Sequence, residues 1–218
     1  AVFPPWHVSA QAVVSDAQGS VLRDNAGTPF PPELIEAARA ELDELVGILT
    51  AEGIRVRRPE PRDHSRPYGA PGWTSTGLYD AMPRDALLVF GDNIIECPMA
   101  WRSRQYATSS YRPLLKEYFR GGARWSAAPK PELPDEFYVD GWTDATDGGF
   151  QPVITEFEPT FDAADFIRCG RDIFAQRSHV TNSFGIEWLE RLLGDEYRVH
   201  VLTLDDQHPM HIDASLMP

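Results

Sequence analysis

The chain has 218 residues, and its 20 Lys+Arg against 33 Asp+Glu give a formal charge of −13. So acidic a composition argues against non-specific nucleic-acid binding, which needs a basic footprint, and suits a small cationic partner. Hydrophobic residues reach 42%, a globular proportion, and no apolar run nears the roughly eighteen residues of a membrane helix.

Residues Ala1–Phe30 are weakly patterned and read as loop, with a strand near Ala10–Val14. Pro31-Pro32 opens a helix whose Leu34, Ala38, Leu42, Leu45 and Leu49 form one apolar stripe, with proline tolerated in the first turn and Gly53 as the stop. Ile54–Arg58 alternates apolar and basic residues and predicts a strand. Pro59–Gly72 is rich in Pro and Gly and predicts a loop.

Two later stretches share one pattern. Ala86–Phe90 and Asn93–Cys97 read as strands around a Gly91-Asp92 turn. A helix over about Ser103–Arg120 and a strand over Ala123–Ala127 follow. Further on, Asp165–Arg168 and Ile173–Gln176 flank the turn Cys169-Gly170-Arg171. A helix capped by Thr181 or Asn182 runs to Leu193, and Tyr197–Leu204 is the last strand. Each stretch is hairpin, helix, strand: a ββαβ unit used twice. Such units cannot cover their own sheets, so several must pack around an axis. The expected class is α/β, a partial propeller, with the 218 residues forming one incomplete domain. Between the units, Ala128–Gly149 is rich in Pro, Asp and Gly and reads as a surface excursion.

An Asp precedes the first strand of each hairpin, Asp85 and Asp165, and Asp213 reads as opening a further unit. The densest polar segment is Asp205–Asp213, which holds His208 and His211. It reads as a solvated acidic turn, as a metal site of His208, His211 and Asp213, or as a site with His211 as general acid and base. The spacing fits no established zinc pattern, so no metal is assigned. Glu156–Asp165 packs four carboxylates among Phe157 and Phe161. Part of it should be buried, and a buried carboxylate needs a partner. Cys97 and Cys169 read as small residues in packed and turn positions. Two cysteines make no disulfide framework, which points to a reduced compartment and the cytoplasm; no signal peptide is visible.

Four segments carry a resemblance: Gly77–Arg104 (GLYDAMPRDALLVFGDNIIECPMAWRSR), Thr155–Asn182 (TEFEPTFDAADFIRCGRDIFAQRSHVTN), Gly185–Leu189 (GIEWL) and Pro209–Ala214 (PMHIDA). They resemble the arginine:glycine amidinotransferase family, from about Val56 to the last residue, more loosely across Pro134–Gln151. The resemblance implies the guanidino-group-modifying superfamily and its five-bladed α/β propeller (pentein), in agreement with the repeat. It further implies a fragment truncated at both ends, because the family's nucleophilic cysteine lies beyond PMHIDA. By the same resemblance Asp162 pairs with His211 to serve that cysteine, and Asp85 and Asp213 hold the arginine guanidinium. The implied activity moves the amidino group of L-arginine through an amidino-cysteine to an acceptor amine, glycine first, with an inosamine phosphate, lysine or another amine as the open alternatives. With glycine this gives guanidinoacetate and ornithine, the opening of creatine biosynthesis, with no cofactor. The fragment itself is expected to be inactive, and the full-length protein to be a homodimer. The alternatives are a guanidino hydrolase of the arginine deiminase type and a non-catalytic binding fragment. The FDAAD wording favours the transferase, because the hydrolases carry a Glu-Gly-Gly-Asp pattern there. Animal relatives are mitochondrial.

Overall fold

The computed structural model describes residues 1–143, 149–204 and 209–216. The repeat is present as two three-stranded sheets of identical topology. In the first unit β3 (Leu87–Phe90) pairs antiparallel with β4 (Asn93–Glu96), and β5 (Arg124–Ala127) lies parallel on the other side of β4. In the second, β6 (Phe166–Cys169) pairs antiparallel with β7 (Asp172–Gln176), and β8 (Arg198–Leu202) lies parallel to β7. The parallel return needs a crossover, supplied by α5 (Arg112–Arg120) in one unit and α6 (Ser183–Leu193) in the other. Both hairpin turns place a glycine in the left-handed region, Gly91 at φ 58° and Gly170 at φ 64°, where a Cβ would be strained.

One core runs through both units. Leu88, Phe90, Ile95 and Met99 of the first are buried with Phe161, Phe166, Ile173 and Leu189 of the second. A ring contact between Phe90 and Tyr197, at 5.3 Å between centroids, adds to the seam. The strand starts therefore face a common region, where α4 (Pro83–Ala86) packs against the 3-10 turn Ala163–Asp165.

Several expectations change. Residues before Phe30 form α1 (Val8–Gln11) and α2 (Asp16–Asp24), not a strand at Ala10–Val14. His7 caps the first, and a reciprocal Ser15–Gln18 capping box starts the second, so local capping prevails over the weak alternation. The Pro59–Gly72 stretch yields β1 (Tyr68–Ala70), which pairs with β2 (Trp73–Ser75). Ile54–Arg58 is in no sheet, because no described strand lies beside it; its Arg57 and Arg58 instead pair with Glu117 and Asp43. The helix expected from Ser103 begins only at Arg112, after 3-10 turns at Arg102–Arg104 and Ala107–Tyr111. Pro113 explains this, since proline fits a helix only in its first turn. The described part of the stretch from Ala128 to Gly149 is no surface excursion: Leu133, Phe137, Tyr138 and Trp142 are buried in a second core with Trp73, Val153 and Val180, and residues 144–148 lie outside the described residues. The helix α3 (Pro32–Ala51) forms as expected but buries none of its residues. Among the described residues no helix is long and apolar enough to cross a membrane.

Candidate active site

Three chain segments deliver the site. Asp85 sits in the single turn of α4, entered through Pro83, just before β3. Asp162 immediately precedes the 3-10 turn Ala163–Asp165, and its N–H donates to Thr181 Oγ1 at 3.2 Å. His211 stands before the 3-10 turn Ile212–Ala214, which is anchored by the fully buried Ile212. His211 has φ 65°. A non-glycine residue in the left-handed region costs on the order of 1 kcal/mol or more, and such strain gathers at functional sites.

These side chains converge. His211 Nε2 lies 3.1 Å from Asp162 Oδ2, and its Nδ1 lies 3.8 Å from Asp85 Oδ1. Asp162 is 2% exposed and Asp85 8%, so both carboxylates need compensation. Burial works against the His211 imidazolium. The Asp162 hydrogen bond and the charges of Asp162, Asp85 and Asp165 outweigh it and raise the imidazole to about 8. Asp165 is the second unit's counterpart of Asp85 in sequence, but its part is internal. It accepts from Gln176 at 3.0 Å, Ser178 at 2.6 Å and Thr181 at 2.5 Å, and burial raises its carboxyl despite those bonds. Of the two aromatics beside these acids, Phe161 is fully buried and Phe157 is exposed.

Asp213 joins the group indirectly. Its Oδ2 lies 3.4 Å from Arg84 Nε, and the Arg84 guanidinium also donates to the Ala163 and Phe166 carbonyls. Arg84 thus ties the start of the first unit to the turn behind Asp162 and to the His211–Asp213 segment. Asp85 has a further partner in Arg104, whose Nη1 donates to its Oδ2 at 2.7 Å. Neither arginine stood out in the sequence, where arginine beside a hairpin reads as packing. The usable signal is that each lies inside a quoted segment, MPRD or WRSR, and that a buried arginine requires an acid.

Asp85, Asp162 and His211 offer one ligand atom each within 4.8 Å of one another. A cation is what such a cluster calls for, and the Arg104 guanidinium supplies it. The metal reading of His208, His211 and Asp213 gains nothing, since His208 lies outside the described residues. Neither cysteine competes for a catalytic part: Cys97 is buried and Cys169 exposed. Burial, with the Asp162 charge second, pushes the Cys97 thiol well up, which makes it a poor nucleophile. A cavity of about 630 Å³, lined by Phe3, Trp6, Phe30, Leu78 and Tyr79 among others, does not include these residues. The site is marked by convergent polar groups rather than by cavity size.

Two ββαβ units around a shared core, with acids at the strand starts, are units of a partial α/β propeller of the pentein kind. No protein-family model matches the chain. Individual relatives do. An L-arginine:L-lysine amidinotransferase of Pseudomonas savastanoi pv. phaseolicola is 62% identical over 221 residues, covering 100% of this chain and 60% of that protein. The mitochondrial glycine amidinotransferase of Danio rerio is 49% identical over 224 residues, covering 99% of this chain and 53% of that protein. The structure of SxtG, an amidinotransferase from Microseira wollei in the saxitoxin pathway, superposes with a TM-score of 0.88. It is 52% identical and covers 91% of this chain and 56% of that one. The chain belongs to the amidinotransferase family, and spans little more than half the length of the curated relatives it matches.

Proposed function

We propose that the protein carrying this chain transfers the amidino group of L-arginine to an acceptor amine. The observation that supports this best is the Asp162–His211 pair at 3.1 Å, with Asp85 on the other imidazole nitrogen. Asp85 and Asp213 hold the planar guanidinium of arginine. Asp85 does so through one oxygen, because the other is engaged by Arg104. A cysteine thiolate attacks the guanidinium carbon, the bond to the ornithine nitrogen breaks, and His211 gives its proton to the leaving amine. With its midpoint at about 8, His211 is charged at neutral pH and ready for that step. The neutral imidazole then takes a proton from the acceptor amine, which attacks the amidino-thioether and expels the thiolate. Asp162 orients the imidazole and stabilises its charged form. The nucleophile is neither Cys97 nor Cys169. By resemblance it follows the PMHIDA segment, so the 218-residue chain alone is inactive on this reading.

Glycine is the acceptor that the motif wording suggests, with guanidinoacetate and ornithine as products. The relative at 62% identity is named for lysine, which favours L-lysine as a second reading. The full-length protein, given L-arginine with glycine or L-lysine, decides between them by which amine raises ornithine release. Citrulline and ammonia in place of ornithine would instead indicate a hydrolase of the arginine deiminase type, and ornithine release indifferent to both amines another acceptor. In the same assay His211→Ala should abolish both half-reactions and Asp162→Asn should slow them by about 10²–10⁴-fold. Near wild-type turnover in either variant refutes the roles assigned. Cytoplasm is the proposed compartment, supported by the two free thiols.

A further inference from the structure

Arg104 is a buried guanidinium lodged between two carboxylates of the site. Its Nη1 donates to Asp85 Oδ2 at 2.7 Å and lies 3.7 Å from Asp162 Oδ2. That Asp162 oxygen is the one that meets His211 Nε2, and the other Asp85 oxygen faces His211 Nδ1. Each carboxylate is thus shared between the imidazole and Arg104. The Nε–H of Arg104 and Oδ1 of Asp162 are buried without a hydrogen-bond partner among the described residues. Arg104 is therefore held by the two acids rather than by a general packing network.

We propose that Arg104 is a positioning residue that holds Asp85 and Asp162 side by side around His211 and balances one of their two charges. Two bare carboxylates this close repel one another. With Arg104 present, the group is neutral when His211 is charged and carries one net negative charge when His211 is neutral. Without it those values become −1 and −2, so the charged imidazole is favoured further. The charged and titratable groups around His211 are Asp85 from α4 and Asp162 and Asp165 from the turn before β6, with Arg104 behind the first two. Tyr79 faces Arg104, Cys97 faces Asp162, and the Asp213–Arg84 pair lies on the His211 segment. The inference deepens the amidino-transfer reading and rests on it only for the purpose of the arrangement.

The test is an NMR pH titration of the 218-residue chain, which needs no turnover. In wild type the His211 midpoint is expected near 8, and the Arg104 guanidinium signals should move as His211 titrates. In Arg104→Gln the His211 midpoint should rise by about one pH unit, the effect of removing one nearby charge. Arg104→Lys, which keeps the charge, should return it toward the wild-type value. A folded Arg104→Gln chain with an unmoved midpoint overturns the proposal. So do wild-type Arg104 guanidinium signals that do not move as His211 titrates, an arm that holds even if the variants do not fold. Absence of amidino transfer in the full-length protein would sink the functional reading and leave this result untouched.

Discussion

His211 concentrates the physics of the site in one side chain: a left-handed backbone, a hydrogen-bonded acid on one nitrogen with a second acid 3.8 Å from the other, and a raised midpoint. Its pKa of about 8 in the fold lies above the roughly 6.5 of an unfolded histidine. The stabilisation is therefore fully present below about pH 6.5 and is lost as pH rises through about 8. About one and a half units corresponds to about 2 kcal/mol. Denaturant titrations of the chain at pH 6 and pH 9 should show that loss, and His211→Gln should remove the difference. His7 runs the other way. Burial, then the Arg102 charge, lowers it to about 4, so its contribution falls away as pH drops from about 6.5 toward 4. His7→Gln should flatten that acid limb, and a steep limb persisting in the variant would exclude His7 as its source. Of these residues, Asp85, Asp162, His211 and Asp213 were legible through motif wording. Arg84 and Arg104 were not, since their parts depend on which segments the fold brings beside them.

At the scale of elements, legibility follows how local the determinant is. The hairpins of the two ββαβ units and α6 were readable because turn glycines, apolar alternation and a cap residue lie within a few positions of one another, whereas the β1–β2 pair was read as loop. Asn182 shows how much one cap can carry. Its side chain accepts from the Gly185 N–H at 2.8 Å and the Thr160 N–H at 3.1 Å, and donates to the carbonyls of Thr155 and Glu158. It joins the start of α6 to the strap leading into Asp162. Asn182→Ala loses a cap worth about 1 kcal/mol and strands buried partners at about 1–3 kcal/mol, so a loss of about 3 kcal/mol is expected in chemical denaturation. A loss below about 1 kcal/mol would show that the strap holds without it. The opposite holds for α3. Its stripe was read correctly as helix, yet Leu34, Leu42, Leu45 and Ile48 are exposed, because periodicity reports a face and not what covers it. Leu45→Ala should change the chain's stability by less than about 0.5 kcal/mol; a core-sized loss would mean that the face is covered in solution.

For the molecule as a whole, the repeat was legible because each unit repeats its signals in order. The packing of Leu133–Trp142 was not, since a Pro- and Asp-rich composition hides four buried side chains whose partners are remote in sequence. The unit boundary is where sequence and structure diverge in their consequences. The repeat suggests two modules, whereas the core is continuous across them. Phe166 of β6 is 1% exposed and packs edge-to-face on Phe161 at 5.4 Å, in the cluster that also holds Phe90 and Ile95 of the first unit. Arg84 adds a polar tie between the units at the site itself. A lesion in one unit should therefore be felt in the other. Phe166→Ala removes a fully packed aromatic ring and should destabilise by about 3–5 kcal/mol. Native-state hydrogen exchange should show the slowest amides of β4, around Ile95, and of β7, around Ile173, losing protection by the same amount. If the amides of β7 weaken while those of β4 keep their wild-type protection, the units unfold independently. The geometry of Asp85 against His211 would then rest on the Asp85–Arg104–Asp162 contacts and Arg84 alone, rather than on a shared core.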